Sequence, residues 1–174
     1  TPAADSPGQQ THRLKRTAGK TRKIDMPRVS LAFFTFAAFC GLTGMGWGIY
    51  MGITQDHSTF SAHAHLNLLG WVSAALMGGF YALAKEQAPR RLPWVNFTLS
   101  SIGTVIMIPS IAGKIMGIEA AWVAICVVVG SLAVFFGMAS FLVAVVLVAR
   151  KRHAARMQAG ASPENPLPQL GLSG

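Results

Sequence analysis

The stretch that decides the fold is residues 29–53, VSLAFFTFAAFCGLTGMGWGIYMGI, which contains no charged side chain. About 20 consecutive apolar residues are enough to cross the hydrocarbon core of a bilayer as a helix. Asp56 is the only charged residue between this stretch and Lys85, so the apolar sequence is roughly twice the length of one span. The polar break around Asp56 therefore predicts two transmembrane helices.

The second half of the chain repeats this pattern. Between Trp94 and Ala149 the only charged residues are Lys114 and Glu119, again near the middle of the run. Because unpaired backbone groups are costly in lipid, each apolar run is expected to be helical. The predicted fold is all-α, an integral membrane four-helix up-down bundle with disordered polar termini. The predicted spans are 29–53, 60–84, 94–113 and 120–149.

The basic residues predict the orientation of the bundle and its partner. Of the 15 Lys and Arg residues, all but Lys114 lie in the N-terminal tail, in the central loop between the second and third spans, or in the C-terminal tail. These three segments lie on the same side of the predicted bundle, and Lys114 lies on the opposite side. Basic segments stay on the cytoplasmic side during insertion, so both termini are expected to be cytoplasmic. The net charge of +9 therefore predicts contact of the basic segments with anionic lipid headgroups and not with nucleic acid.

The same reasoning divides the chain into three parts. We expect a basic cytoplasmic tail over 1–28, a transmembrane domain over 29–149 and a cytoplasmic tail over 150–174. The polar, Pro-rich composition of the chain ends, about 1–23 and 160–174, predicts disorder there. Within the transmembrane domain, Trp94 and Asn96 near the inner membrane face are interpreted as interfacial anchors.

Helix packing is predicted from small residues in the first span. Gly44, Gly48 and Gly52 recur every four residues and share one helix face. Small residues at this spacing let two helices approach closely in lipid. The stripe is expected to pack the first helix against the second or the fourth, in preference to forming a dimer interface.

The chemically informative segment is 56–71, DHSTFSAHAHLNLLGW, at the predicted outer end of the second helix. An ionisable side chain within a span is costly and marks a candidate functional site. Since successive helical residues turn by about 100°, His63 and His65 point to nearly opposite sides, and His63 shares a face with Asn67 and Gly70. Either histidine is a candidate ligand for haem iron, with the other forming a hydrogen bond. Asn67 is then expected to hydrogen-bond to the ligand, and Gly70 to leave room for a flat macrocycle against the helix. The structural alternative is that the histidines bond neighbouring helices and that Gly70 permits close packing.

The run HAHLNLLGW over 63–71, followed by GFY over 79–81, resembles helix two of the haem-copper oxidase subunit I superfamily, particularly cbb3-type members and small subunit I-like bacterial proteins. In those enzymes a histidine near the outer end of that helix is an axial ligand of the low-spin haem. The resemblance assigns this role to His65, with His63 as the competing choice. It also implies haem b as cofactor and the bacterial inner membrane as location.

The chain departs from this family in length, because the large oxidases have about twelve helices and take their copper ligands from later ones. A complete oxidase is therefore not expected from this chain alone. The main hypothesis is a small haem b-binding membrane protein in electron transfer, gas sensing or support of a respiratory complex. Its second axial ligand would come from a homo-oligomer, from another chain or from His57.

Two alternatives stay open. The first is a cofactor-free accessory subunit of a larger respiratory or photosynthetic membrane complex. The second, weaker alternative is copper binding by His57, His63 and His65. The opposite directions of His63 and His65 count against copper binding.

Overall fold

A computed structural model of the protein describes residues 26–160, except for the side chains of residues 86, 159 and 160. The disorder predicted for the polar termini concerns residues outside the described range. Within that range the chain is all-helical and contains four helices that are long and apolar enough to cross a membrane, which confirms the predicted fold class. The helices are α1 (Arg28–Thr54), α2 (Phe60–Ala84), α3 (Leu92–Ile115) and α4 (Ala121–Gly160).

The predicted spans agree with α1, α2 and α3 to within two residues at each end, but α4 continues 11 residues beyond the predicted end at 149. The extension is rich in Arg, Lys, Ala, Met and Gln, which are good helix formers. It is also attached to the central loop. Lys151 Nζ donates to the Gln87 carbonyl oxygen at 3.0 Å, and Arg152 Nε donates to Gln87 Oε1 at 2.6 Å.

Short connections make consecutive helices antiparallel. At the end of α3, two backbone hydrogen bonds close the turn to α4. Gly117 N donates to the Lys114 carbonyl oxygen, and Ile118 N donates to the Gly113 carbonyl oxygen. This arrangement requires a left-handed residue after the helix, and Gly117 supplies it with φ of 86°. The turn between α1 and α2 is closed by Trp47, whose indole Nε1 donates to Thr59 Oγ1 at 3.1 Å.

The bundle is built from two close helix pairs, α1 with α2 and α3 with α4, joined mainly through α3. Aromatic rings from different helices fill the half that lies towards the central loop. Phe33 of α1 stacks on Tyr81 of α2 at 5.7 Å and meets Phe97 of α3 edge-on at 5.1 Å. Phe141 of α4 meets Tyr81 edge-on at 5.9 Å.

Much of the apolar surface faces outward, and α4 is the extreme case. Only 17% of its most apolar 18-residue stretch is buried within the bundle, whereas 33–39% of the corresponding stretch is buried in each of the other three helices. In water such a surface would be strongly unfavourable, but lipid tails solvate it well. The four helices are thus compatible with a multi-pass membrane protein in contact with a lipid bilayer.

Candidate functional site

The N-terminal half of α2 places His63 against α1. The His63 ring lies beside Gly48, where a Cβ atom would come within 3.2 Å of its Cε1 atom, and meets the Trp47 ring edge-on at 6.4 Å. One turn further along α2, Asn67 Nδ2 donates to the His63 carbonyl oxygen at 3.0 Å and lies 3.3 Å from His63 Nε2. The predicted shared face of His63 and Asn67 is therefore confirmed, and this face packs on α1.

The glycines of α1 make this packing possible. Gly44 lies under the Asn67 amide, Gly48 under His63, and Gly41 under the indole of Trp71, whose Cγ a Cβ atom at Gly41 would approach to 3.1 Å. The prediction that the stripe packs α1 against α2 is confirmed for Gly44 and Gly48. Gly52, the third predicted member, faces open space, and Gly41 contacts α2 in addition.

Gly70 also belongs to this interface. A Cβ atom at Gly70 would lie 2.8 Å from the Sγ atom of Cys40 in α1. The space above Gly70 is thus filled by α1, as expected from the packing alternative. The predicted shared face of His63, Asn67 and Gly70 is borne out.

His65 points the other way and is exposed on the outward side of α2. Its ring Nδ1 atom lies 2.7 Å from the Ser61 carbonyl oxygen. A carbonyl oxygen can only accept, so Nδ1 carries the proton, and in the neutral ring the Nε2 atom keeps a free lone pair. Metal-ligating histidines are commonly oriented by such a bond from the other ring nitrogen. The outward face continues along α2 with exposed apolar side chains, among them Leu68 and Val72.

The helix changes its winding directly after His65. Residues Leu66–Ser73 are π-helical, and the Ser73 hydroxyl donates to the Leu68 carbonyl oxygen at 2.8 Å. The Ser73 hydroxyl thus gives the Leu68 carbonyl a side-chain donor of the kind that helps to satisfy backbone groups where a transmembrane helix is irregular. π-Helical turns inside α-helices are frequent at functional sites. No feature of the sequence predicted this one.

His57 lies in the turn before α2, with its Nδ1 atom 3.2 Å from the Gln55 carbonyl oxygen. In the same turn Ser58 N donates to Asp56 Oδ1 at 2.9 Å, and this bond holds the pKa of the Asp56 carboxyl below its ordinary value. Among the described residues, no three His, Cys, Asp or Glu side chains form a group able to hold a metal ion. The structure therefore does not bring His57, His63 and His65 together as one set of ligands.

A second polar cluster lies in the interior, and the sequence interpretation missed it. Asn96, predicted as an interfacial anchor, is fully buried; its Nδ2 atom donates to the Tyr81 hydroxyl oxygen at 3.0 Å, and its Oδ1 atom accepts from Ser100 Oγ at 3.0 Å. A buried amide needs such partners. Trp94, the other predicted anchor, is 45% exposed.

The dimensions of the bundle limit where a haem fits. Helices α2, α3 and α4 enclose a cavity of about 10 Å³ beside Ser73, Thr104 and Val134, which is room for roughly one water molecule. A haem does not fit there without separating the helices. On the outward face, His65 offers one exposed ring nitrogen with a free lone pair, flanked by apolar side chains. The residues present fit one axial ligand per chain at that face.

The protein is thus a four-helix membrane bundle with an exposed histidine, His65, next to a π-helical turn. Comparison with protein-family models, with curated proteins and with solved structures finds no match to this chain.

Proposed function

We propose that this protein is a small haem b-binding integral membrane protein, related to a fragment of oxidase subunit I, that acts in electron transfer. The observation that carries the proposal is the bond between His65 Nδ1 and the Ser61 carbonyl oxygen, which leaves the Nε2 lone pair of this exposed histidine free for a ligand. Haem b, when bound, would supply a one-electron iron couple.

The position of His65 supports a haem at an interface between chains. Each chain presents His65 on the exposed face of α2, whereas His63 is engaged with α1 and Asn67. In a two-fold symmetric dimer, His65 of both copies would hold the haem between the two chains. The exposed apolar side chains Leu68 and Val72 would cover its edge. A homo-oligomer of this kind supplies the second axial ligand without another histidine in the bundle.

The charge distribution supports the location. Arg28, the central-loop residues Lys85, Arg90 and Arg91, and the basic C-terminal part of α4 lie at the end of the bundle opposite to His65; we call this the basic end. The positive-inside rule assigns the basic end to the cytoplasm, and with the resemblance to bacterial oxidases this gives the inner membrane with both termini inside.

The test is a spectroscopic comparison of wild type, His65→Ala and His63→Ala proteins purified in mild detergent from haem-replete cells. Wild type should show a Soret band and a sharp reduced α band, which His65→Ala should lose and His63→Ala should keep. Millimolar imidazole should restore the spectrum of His65→Ala by entering the vacated ligand position. A colourless, folded wild-type protein would overturn the proposal.

A cofactor-free accessory subunit is the second candidate. The observation that favours it is the large outward surface of α4, since only 17% of the most apolar 18-residue stretch of this helix is buried within the bundle. Such a surface could pack against helices of a larger respiratory or photosynthetic complex. Isolation under gentle conditions separates the two: a colourless protein in a stoichiometric complex supports the accessory role, and a coloured homo-oligomer supports haem binding.

A further inference from the structure

A cleft of about 700 Å³ opens at the basic end of the bundle. It lies where α1 begins, where α2 passes into the central loop and where α3 begins. Its polar and aromatic lining includes Arg28, Tyr81, Lys85, Arg90 and Trp94. The cleft is separate from the His65 face, which lies at the other end of α2.

The charge of the cleft is positive. Arg28 at the start of α1 and the central-loop residues Lys85 and Arg90 all line it, and all three are exposed. No carboxylate is among the described residues that line it. Three cations around one concave site repel each other and raise its potential, so the site favours an anion.

Two helix ends add to this potential. Both α1 and α3 begin at the cleft, at Arg28 and Leu92, and neither has an acidic residue in its first turn or a side-chain cap. The first N–H groups of a helix carry partial positive charge and attract phosphate groups. In α1 this charge is left without a carboxylate from the first turn. In α3 the contribution is smaller, because Pro93 has no N–H and the N–H groups of Trp94 and Val95 already donate to the Arg91 carbonyl oxygen.

The position of the cleft indicates what carries the anion. It lies at the end of the apolar spans, beside Trp94, which is 45% exposed, as is usual for a residue at the membrane surface. Tyr81, 1% exposed, forms part of the apolar floor. Lys85 has a positive φ of 45° at the end of α2, a backbone conformation that is unfavourable for a residue with a side chain.

We infer that this cleft binds a phosphate group, presented in the membrane by the headgroup of an anionic phospholipid whose acyl chains run along the apolar helix surfaces. Basic pockets between transmembrane helices bind such headgroups. The inference is independent of haem, because no residue of the cleft belongs to the His65 face. A soluble phosphate compound has the same chemistry, so the experiment distinguishes the two sources.

The experiment measures binding of dioctanoyl phosphatidylglycerol to the delipidated full-length protein by native mass spectrometry, with dioctanoyl phosphatidylcholine as the zwitterionic comparison. The test variant is Arg28→Gln/Arg90→Gln. The matched control is Arg91→Gln/Arg150→Gln, which removes the same charge from the same end but from residues that do not line the cleft. All four side chains are exposed, so both variants should fold.

Each cation should contribute about a fivefold change in affinity for an anionic lipid, so the test variant should bind roughly 25-fold more weakly than wild type. The control should change by less than about fivefold, and wild type should prefer phosphatidylglycerol to phosphatidylcholine. Equal losses in both variants, or equal binding of both lipids, would overturn the inference. Displacement of the lipid by equimolar inorganic phosphate would keep the phosphate site but overturn its assignment to lipid.

Discussion

The side-chain amide of Asn67 in α2 occupies the space that a Cβ atom at Gly44 in α1 would need. The amide cannot move away freely, because its Nδ2 atom donates to the His63 carbonyl oxygen at 3.0 Å. The approach of α1 and α2 therefore depends on the absence of a side chain at position 44. It also fixes His63 on the inner side of α2 and, by the turn of the helix, leaves His65 on the outer side.

Gly44→Ala should destabilise the bundle by about 1–3 kcal/mol, because the added methyl group overpacks the interface or displaces the Asn67 amide. The free energy of unfolding in mixed detergent micelles measures the effect. Gly46→Ala is the matched control in the same helix, since nothing lies within 4 Å of its Cβ position. Equal destabilisation by both substitutions would contradict this account of the α1–α2 contact.

Gly103→Ala should cost more than Gly44→Ala, towards or above 3 kcal/mol. A Cβ atom at Gly103 would lie 2.8 Å from the Gly130 carbonyl oxygen and 2.8 Å from Val134 N, so the backbones of α3 and α4 would have to separate. Gly113→Ala, in the same helix, meets only Ile118 Cδ1 at 3.4 Å and should be nearly neutral. The same unfolding measurement gives the order, and a smaller loss for Gly103→Ala than for Gly44→Ala would refute it.

Asn96→Leu should cost about 1 kcal/mol, since hydrogen bonds between transmembrane helices contribute roughly that amount. The substitution leaves the Tyr81 and Ser100 hydroxyl groups without their amide partner. In a double-mutant cycle with Tyr81→Phe, the double variant should lose at least about 0.5 kcal/mol less than the sum of the two single losses. Tyr50→Phe, at the exposed tyrosine, should have no effect and no coupling.

His63→Ala and His65→Ala should have opposite consequences if haem binds as proposed. His63→Ala removes contacts with α1 and should lower the free energy of unfolding by about 1–2 kcal/mol while the reduced α band persists. His65→Ala removes an exposed side chain and should leave the unfolding of the haem-free protein unchanged within about 0.5 kcal/mol while the α band disappears. Loss of the band in His63→Ala alone would assign the iron ligand to His63.

The sequence alone determined the four spans and the opposite directions of His63 and His65. The spans follow because a bilayer selects for apolar length, which depends only on the order of residues along the chain. The relative directions of the two histidines follow because neighbouring residues in a helix are separated by a fixed rotation. Both properties are local, and the structure agrees with them.

Only the tertiary structure decided which of these faces points inward. Lipid tails and helix interiors are equally apolar, so hydrophobic periodicity does not distinguish a buried face from an exposed one in a membrane. For this reason the burial of Asn96, the contact of Gly41 with Trp71, the outward position of His65 and the π-helical turn at Leu66–Ser73 emerged only from the packed bundle. Their positions depend on close contacts between helices that are distant in sequence.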